Sequence, residues 1–491
     1  MNKRSQAARR TVLAAGAATA LALGGPAPSA GAADPVPSVA NDTVWRDTAG
    51  DPVLAQGGNV LKVGSAYYWV GTSLVSGQPK HVNLYRSTDL ETWTFEGPIL
   101  SQSGTTGDLA TGKWLGRPQL VHNPTTGMYV LVVEVNGPTA GLGNSVLFAT
   151  SPTVDGTYTP GTSSLVNGYT MGDHSVFVDG DDAYLVYVGD NATTRNVSMN
   201  VAPLDADWTS VKPAVSTGWD NLREAPAILK KDSTYYMFAS GKDWWNATAT
   251  SYRTSTDLRT WSAWRTLATD PPSGNSFGTQ FEQIIPVVGS RSTSYLYNGD
   301  RYSQFHGGTA PAPGGIGRNA WYPLTFTDGV PTLHGATTVD VDAAAGTLRA
   351  DEIANGRFDQ DVAGTAIPQW SVSGTAGATK VEDTTDPGHR RLAMWSAGPY
   401  NAWAAQDLTL PNGTYTLSFD HRSSGGQTNA YVSVKNYGGP EIQTSLKTAQ
   451  PTWATRTVTF TVTNGSARVG IWTDGPGGKW LNLDNVSVWR N

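Results

Sequence analysis

One hydrophobic pattern, a short apolar strand centred on tyrosine, occurs five times in the first three fifths of the chain. The copies centred on Tyr68, Tyr129, Tyr184, Tyr236 and Tyr295 are 61, 55, 52 and 59 residues apart. Clusters of Gly, Pro, Asn, Asp and Ser separate them, which is typical of short strands joined by turns. A unit of this length with three or four strands cannot bury both faces of its own sheet. Five units therefore predict a five-bladed β-propeller, with the first strands around a shared central pocket.

A second motif follows the same period. The string Ser-Thr-Asp-Leu-x-Thr-Trp occurs at residues 87–93 and again at 255–261, which are 168 residues, or three periods of 56, apart. A β-sandwich would also suit short strands, but it gives no reason for a fivefold period. The repeat therefore favours the propeller, which we expect at residues 33–345.

The pattern changes in the last third of the chain. The tyrosine-centred repeat stops after Trp321–Leu324, residues 337–341 predict one more strand that could close the ring against the first blade, and residues 342–346 predict a connector. From residue 355 onwards, alternating segments predict a separate β-sandwich domain, 355–491. These segments are Thr414–Phe419, Tyr431–Val434 and Thr457–Val462.

The first 32 residues have the pattern of a signal peptide. Lys3, Arg4 and the Arg9–Arg10 pair precede an apolar run at residues 12–25, and the small residues 30–32 suit a cleavage site. The arginine pair fits the twin-arginine route, although paired arginines also occur in ordinary signals. No other segment approaches 18 apolar residues, so we expect no membrane span and a secreted, extracellular protein.

Composition and charge exclude several classes of function. The net charge is −6 at pH 7, and Lys and Arg form no run of five or more, which argues against nucleic acid or an anionic membrane as a partner. With no cysteine, the chain has no disulfide, no thiolate metal site and no Cys nucleophile. The seven histidines lack zinc-site spacing, so we expect no catalytic metal.

Two carboxylates at strand starts are candidates for acid–base chemistry. Glu224 directly precedes an apolar strand, where burial would raise its pKa and let it act as a general acid. Asp173 opens a strand one blade earlier, and two acids held near each other keep one of them protonated, as glycoside hydrolysis requires. Taken alone, the first segment is explained at least as well by a Glu224 that pairs with Arg223. The second is explained as well by an Asp173 that is exposed to solvent at the start of its strand.

A third segment begins the predicted fifth blade. Gln280 can hold a water or a sugar hydroxyl but is a very poor base, whereas Glu282 could remove a proton if it faces the pocket. Ordinary hydrogen bonding at a strand edge explains both residues equally well. The other substrate-binding residues that we predict are Gln56, Trp244, Asn246 and Trp321.

At these residues the chain resembles glycoside hydrolase family 43, the five-bladed propeller hydrolases, and within it the exo-β-1,3-galactanases. The resemblance covers residues 44–337 and rests on the order and spacing of several short strings. These are Tyr-Tyr-Trp at 67–69, the string at 87–93, Arg-Pro-Gln-Leu-Val-His-Asn at 117–123, Asp173 before Val-Phe-Val-Asp at 176–179, Arg-Glu-Ala-Pro-Ala at 223–227, Thr-Gln at 279–280, Asn-Gly-Asp-Arg at 298–301 and Trp-Tyr-Pro-Leu at 321–324.

The resemblance implies an inverting, exo-acting glycosidase. Glu224 matches the family's general acid, and Asp173 matches the carboxylate that orients this acid and raises its pKa. The galactanases lack the Asp base that other members carry on the first blade. They have instead a glutamine that handles the water, which Gln280 matches.

Two departures concern the substrate. Gln56 begins a Gln-Gly-Gly string where the galactanases have His-Gly-Gly, and Gly116 stands where they have a Glu that contacts the bound galactose. Glu134 and Glu282 are the two candidates to replace that Glu, and the sequence does not decide between them.

The C-terminal region is similar to β-sandwich carbohydrate-binding modules, many of which hold a structural calcium. The similarity lies in residues 355–358, Trp370, the strand around Tyr415 and residues 483–486.

The predicted function is removal of galactose from β-1,3-galactan or an arabinogalactan side chain. We expect a monomeric enzyme whose partner is the polysaccharide and which needs no catalytic cofactor. The alternatives are a β-galactofuranosidase, an α-L-arabinofuranosidase, a non-catalytic carbohydrate-binding propeller and an adhesion protein.

Overall fold

Strands and turns make up the described part of the protein, as predicted for an all-β chain. The computed structural model describes residues 37–41, 44–75, 77–135, 144–190, 197–243, 246–301, 319–358, 363–384 and 390–491. These residues include no helix, and therefore none that is long and apolar enough to cross a membrane. The predicted signal segment 1–32 and Trp244 lie outside the described residues.

After strand β1 (Ser38–Ala40), five sheets follow one another along the chain, all antiparallel except for the parallel pairing of β18 with β22. The first contains β2 (Val60–Val63), β3 (Ala66–Thr72), β4 (His81–Ser87) and β5 (Thr94–Ser101). The second contains β6 (Leu115–His122), β7 (Tyr129–Val135), β8 (Ser145–Ser151) and β9 (Thr159–Pro160). The third contains β10 (Thr170–Asp179), β11 (Asp182–Asp190), β12 (Val197–Pro203) and β13 (Ser216–Trp219).

The fourth sheet contains β14 (Arg223–Lys231), β15 (Thr234–Gly241), β16 (Thr250–Ser255) and β17 (Arg265–Thr266). The fifth has the order β18 (Ala268–Asp270), β22 (Val330–His334), β21 (Asn319–Thr327), β20 (Thr293–Asp300) and β19 (Gln280–Val288). In the first four sheets the strands lie side by side in chain order, so each sheet is a simple meander.

The five tyrosine-centred segments are confirmed as strands, and each lies at the same place in its sheet. They form β3, β7, β11, β15 and β20. Each of these strands pairs on one side with the strand that precedes it in the chain and on the other side with the strand that follows it. Most of their residues are buried. A strand buried on both faces has a continuous apolar run, which is why this signal repeats in the sequence.

The repeated Ser-Thr-Asp-Leu-x-Thr-Trp string forms the same turn in the first and fourth sheets. In the first copy the Ser87 hydroxyl accepts a hydrogen bond from the Leu90 N–H at 2.9 Å, and Asp89 Oδ1 accepts one from the Thr92 N–H at 2.7 Å. The second copy repeats these contacts, and both leucines, Leu90 and Leu258, have a positive φ. The motif therefore closes the turn after the third strand of a sheet.

Neighbouring sheets contact one another through their first strands, and the first sheet also contacts the fifth. Strand β10 contacts β6 and β14, and β14 contacts β19. The Val60 N–H donates to Gln283 Oε1 at 2.9 Å, and Gln283 Nε2 donates to the Val60 carbonyl at 3.3 Å. Hydrogen bonds between the Gln283 side-chain amide and the Val60 backbone thus join β2 of the first sheet to β19 of the fifth.

The strand predicted at residues 337–341 forms, but its partners differ from the prediction. It is β23 (Thr338–Asp342), which pairs with β1 and with β24 (Thr347–Asp351) in a separate three-stranded sheet. Val339 and Val341 pack into one apolar cluster with side chains of the first and fifth sheets. The strand therefore covers these two sheets, and the predicted connector 342–346 is the turn of its hairpin.

Two five-stranded sheets follow, and we call them the C-terminal sheet pair. One has the order β25 (Ser371–Gly374), β28 (Tyr400–Thr409), β33 (Ser466–Gly475), β30 (Asn429–Lys435) and β31 (Ile442–Ser445). The other has the order β26 (Thr379–Asp383), β27 (Arg390–Trp395), β34 (Trp480–Arg490), β29 (Gly413–Ser423) and β32 (Gln450–Val462). All three segments predicted as strands in this region are confirmed. Both sheets contribute to one apolar core, which draws only on residues 353–488.

Candidate active site

Strands β6, β10, β14 and β19, one from each of the second to fifth sheets, contain a β-bulge near their beginning. A bulge places two residues opposite one and turns their side chains out of the regular alternation. Arg117, Asp173 and Glu282 lie within bulges, and Glu224 flanks one. The register shifts between Gly116 and Gln119, Met171 and His174, Glu224 and Ala227, and Phe281 and Gln283. Four neighbouring sheets therefore present charged side chains at equivalent positions.

Proline accounts for two of these bulges. Pro118 follows Arg117, and Pro226 follows Ala225, inside β6 and β14. Since proline has no N–H for the ladder, it occurs in sheets at edges, strand starts or bulges. Arg117 and Ala225 have φ values of 42° and 54°, which few non-glycine residues adopt. A proline inside a predicted inner strand was thus a signal for the site that our sequence reasoning did not use.

Glu224 is a half-buried carboxyl at the start of β14. Its Oε1 accepts a hydrogen bond from Gln280 Nε2 at 3.0 Å. Burial first, and then the negative charge of Asp173, raise the pKa of Glu224 to about 8, against the opposing effects of Lys242, Arg117 and the Gln280 amide. The carboxyl is therefore protonated at neutral pH, which is the state that a general acid requires.

Direct contact between Gln280 and Glu224 differs from what the predicted role of Gln280 requires. In an inverting glycosidase the acid and the group that holds the water stand about 6.5–9.5 Å apart, on opposite faces of the sugar. In the structure the two side chains touch. A water-positioning role therefore requires the Gln280 side chain to move away from Glu224 when a sugar enters.

Arg117 is the cation of this site, and the sequence analysis did not single it out for a role. Its Nη1 lies 3.1 Å from Glu282 Oε1 and its Nη2 lies 2.8 Å from Glu282 Oε2, while its Nε lies 3.6 Å from Asp173 Oδ1. The side chains of Arg117 and Glu282 are 5% and 0% exposed. The predicted contact of Glu282 with substrate does not fit a carboxylate that has no exposed surface and is engaged at both oxygens.

Glu134, at the end of β7, is a second buried acid beside Asp173. Its Oε2 accepts hydrogen bonds from Trp114 Nε1 at 2.6 Å and from Asn144 Nδ2 at 3.4 Å. Burial, and after it the charge of Asp173, raise the pKa of Glu134 to about 8. Because Asp173 acts on both Glu134 and Glu224, these two carboxyls lie around one region.

Trp321 lies in an aromatic core and has no surface for a sugar. Its side chain is fully buried, and its ring centroid lies 5.2 Å from that of Trp45, 5.3 Å from that of Trp69 and 6.1 Å from that of Trp93. Its Nε1 donates to Asn298 Oδ1 at 2.9 Å. The prediction that Trp321 stacks on substrate is incompatible with this burial, and the residue instead packs the first sheet against the fifth.

Gln56 is buried and lies beside the end of β3, the second strand of the first sheet. Its backbone pairs with Thr72, and the N–H of the next residue, Gly57, donates to the Asp300 carboxylate. Asp300 is the register partner of Gln280. The structure therefore places Gln56 on the side of the first sheet that faces Gln280.

Asn246 lies in an exposed turn that follows the end of β15, where Ser240 is the register partner of Glu224. Within the described part of the chain its N–H donates to the Asp243 carbonyl at 3.0 Å and its Nδ2 to Asp243 Oδ2 at 3.4 Å.

The described residues show no candidate metal site. Among them, no three His, Asp or Glu side chains are grouped so that they could hold an ion. The calcium expected in the C-terminal region stays a prediction without a ligand set.

Residues 51–308, which contain the whole cluster, match the family model of the glycosyl hydrolases family 43. The chain belongs to this family. Family 43 is a β-propeller family, and the prediction of its fold class is confirmed at that level, as an all-β chain with additional sheets. The predicted resemblance is likewise confirmed for the family.

Solved structures similar to this family 43 chain include two that act on galactose linkages. An exo-β-1,3-galactanase from Phanerochaete chrysosporium, solved with galactose, is 24% identical, with 92% of this chain and 100% of that chain covered and a TM-score of 0.56; this likeness shows the fold alone. A family 43 β-1,3-galactosidase, solved with galactodeoxynojirimycin, is 25% identical over 61% of this chain and 99% of that chain, with a TM-score of 0.52.

One curated relative is a 1,6-α-glucosyltransferase from Sporosarcina globispora. It is 25% identical over an alignment of 248 positions that covers 44% of this family 43 chain. The chain spans only 19% of the length of that relative.

Proposed function

We propose that this protein is a secreted, exo-acting and inverting glycosidase that removes galactose from β-1,3-galactan or from a related arabinogalactan side chain. The observation that carries the proposal is the half-buried Glu224 carboxyl, which lies against Gln280 and whose pKa of about 8 keeps it protonated at neutral pH. The similarity to a family 43 β-1,3-galactosidase supports the choice of sugar.

In the proposed reaction Glu224 donates its proton to the glycosidic oxygen as the bond to the anomeric carbon breaks. In the same step a water attacks that carbon from the opposite face, held by a hydrogen bond to the Gln280 side-chain oxygen once this side chain has left Glu224. The proton that the water loses passes to solvent, from which the Glu224 carboxylate is protonated again. Asp173 contributes the negative charge that raises the pKa of Glu224. Its contact with Arg117 holds it in place beside the acid.

We also infer that the five sheets are the five blades of one propeller. Each sheet has one tyrosine-centred strand at the same place, and the first strands contact one another in sequence. The Val60–Gln283 hydrogen bonds support a ring in which the fifth blade meets the first. Such a ring brings the bulges of four blades to a central site.

The released product tests the proposed function. We expect the purified full chain to release galactose from β-1,3-galactan, and proton NMR to detect the α-anomer first, because inversion of a β-linkage yields the α-sugar. The β-anomer appearing first would contradict inversion. Release of arabinose from arabinan, or of galactose from galactofuranan only, would favour the alternative glycosidases, and binding of galactan without release would favour a non-catalytic propeller.

We further propose that the C-terminal sheet pair binds polysaccharide through the outer face of the sheet that contains β28, β33 and β30. Trp403, Trp472 and Tyr431 are direct neighbours on these three strands and are half-buried, whereas the residues beside them point into the core. Rows of polar side chains flank this aromatic row on the same face. These flanking residues are Asn401, Asp474 and Asn429 on one side and Asp407, Arg468 and Lys435 farther along on the other.

Aromatic rings beside hydrogen-bonding groups suit a sugar, which has apolar ring faces and polar hydroxyls. We expect Trp472→Ala to weaken retention on insoluble galactan by about tenfold, a loss of the size that a buried aromatic contact supplies. The matched control is Trp395→Ala, because Trp395 is 36% exposed but belongs to the other sheet. Equal retention by the two variants would contradict the proposed face. Hydrolysis of soluble β-1,3-galactobiose should stay unchanged in both.

A further inference from the structure

Among the described residues, Glu134 has hydrogen-bond partners at one carboxyl oxygen and none at the other. Trp114 Nε1 and Asn144 Nδ2 both donate to Oε2, while Oε1 has no hydrogen-bond partner among the described residues although the side chain is only 2% exposed. A buried polar atom without a partner has lost its hydrogen bonds to water and gained none in return, which destabilises the folded state. Such an atom in a folded protein calls for an explanation, and a ligand that completes its hydrogen bonding is one.

The local geometry directs this carboxyl from β7 towards the bulge of β6. Glu134 is the register partner of Gly116, directly before the bulged Arg117. A Cβ at Gly116 would lie 2.4 Å from Trp114 Cζ2, so the indole ring occupies the space where a side chain of residue 116 would stand. The same ring brings its N–H to Glu134. On this pair of strands, the acid is therefore supplied by residue 134 and not by residue 116.

The other candidate for an acid that contacts substrate is Glu282, and its geometry excludes it. Arg117 Nη1 lies 3.1 Å from its Oε1 and Arg117 Nη2 lies 2.8 Å from its Oε2, so a buried cation already engages both oxygens. Glu134 faces no such cation at contact distance within the described residues, and Arg117 acts on it only through its field. Of these two buried acids, Glu134 is therefore the one that can form a hydrogen bond with a ligand, through Oε1.

A neutral carboxyl suits a hydroxyl group as its ligand. Burial and the charge of Asp173 keep Glu134 protonated at neutral pH. Since a protonated carboxyl both donates and accepts a hydrogen bond, it matches a sugar hydroxyl, which does the same. Asp173 acts on Glu224 as well, so this hydroxyl would belong to the sugar whose linkage Glu224 protonates.

We infer that Glu134 is a specificity-determining residue that binds one hydroxyl group of the terminal sugar through Oε1, with Trp114 holding the carboxyl in place. The inference rests on the proposed function, and it assigns to this chain a substrate contact that comes from β7. The ligand class is a neutral pyranose or furanose at the non-reducing end of the polymer.

The test measures binding without turnover. Glu224→Gln serves as the background, and calorimetry measures the affinity for methyl β-galactopyranoside and its four monodeoxy analogues. We expect Glu134→Leu to weaken binding of the parent glycoside by about 10–100-fold, because the hydroxyl loses its partner. Glu134→Gln should bind within about threefold of the background protein, since the amide also donates and accepts.

The analogues identify the contact. One of the four should bind the background protein about 10–100-fold more weakly than the parent glycoside does, yet bind Glu134→Leu as well as the parent does. Equal losses for all four analogues in both proteins would overturn the inference, as would an unchanged affinity of Glu134→Leu for the parent. Trp114→Phe is the second variant in case Glu134→Leu does not fold: it keeps the ring beside Gly116, removes the N–H, and should reduce the contribution of that same hydroxyl only.

The two proposals fail in different ways. A wild-type protein that binds the galactoside but releases no sugar overturns the proposed hydrolysis and leaves the Glu134 comparison readable. If the polymer screen favours another sugar, the same comparison uses methyl β-galactofuranoside or methyl α-L-arabinofuranoside. A protein that binds none of the three glycosides overturns both proposals.

Discussion

Glu224→Gln is expected to lower kcat for galactose release from β-1,3-galactobiose by about 10²–10⁴-fold, the usual contribution of a general acid. Glutamine has nearly the same shape and keeps a partner for the Gln280 amide, which donates to Glu224 at 3.0 Å, but it has no proton to transfer. Binding of the sugar should therefore persist. Steady-state kinetics and calorimetry on the same preparation separate the two effects.

The control for this variant is Glu91→Gln. Glu91 is also a half-buried Glu with a raised pKa, but it pairs with Arg357 and lies outside the bulges that form the site. We expect its kcat to stay within about threefold of the wild type, because it donates no proton in the reaction. Normal activity of Glu224→Gln, or an equal loss in both variants, would overturn the assignment of the acid.

The pH dependence of kcat/KM provides an independent check on the same group. Burial, with the charge of Asp173, raises the pKa of Glu224 from its ordinary value to about 8, so the acid is protonated below this pH and loses its proton above it. Activity should therefore fall as the pH rises through about 8. Asp173→Asn removes a negative charge and should move this limb to lower pH. Because Asp173 also acts on Glu134, the apparent pKa of this fall in activity belongs to the interacting acids together. An unchanged apparent pKa in Asp173→Asn would contradict the effect of Asp173 on Glu224.

Arg117→Met is expected to lower the free energy of unfolding by about 3–5 kcal/mol, as the loss of one partner of a buried ion pair does. Methionine retains much of the apolar stem, but it removes the guanidinium that contacts both oxygens of Glu282, whose side chain is 0% exposed. Urea denaturation followed by tryptophan fluorescence measures the change.

Arg390→Met is the matched control for this loss. Arg390 pairs with Asp383 at 3.0 Å, but the Asp383 side chain is 69% exposed, so water replaces the lost partner and the cost should stay below about 1 kcal/mol. The double variant Arg117→Met with Glu282→Leu removes both buried charges and should be more stable than Arg117→Met alone. Equal losses for Arg117→Met and Arg390→Met would show that burial of the Glu282 pair is unimportant.

The tyrosine-centred strands show how far the sequence carries the fold. All five are the second strand from one edge of their sheet, and such a strand, covered on both faces, needs a continuous apolar run. The string at 87–93 and its copy at 255–261 form the same turn in sheets three apart, as their spacing predicts. Local chemistry sets both features, so a single sequence reveals them.

Prediction was weaker wherever a role depends on distant neighbours. Trp321 and Glu282 were expected to contact substrate, yet one packs among tryptophans of the first sheet and the other is held by Arg117 of the second. Burial of a side chain depends on residues more than 100 positions away, which alternation along one strand does not reveal. The strand at 338–342 formed as predicted but paired with β1, because pairing also depends on where other strands lie.

The sequence by itself determined the all-β class, the period of the sheets, the family and the positions of Asp173, Glu224 and Gln280 at strand starts, because each depends on local composition and spacing. Only the tertiary structure decided which acids meet. It brings Arg117 between Asp173 and Glu282, places Gln280 on Glu224, and sets Glu134 opposite Gly116. The reason is that β-bulges and cross-strand register turn side chains from separate sheets towards one point, and burial there raises the pKa values on which the proposed chemistry rests.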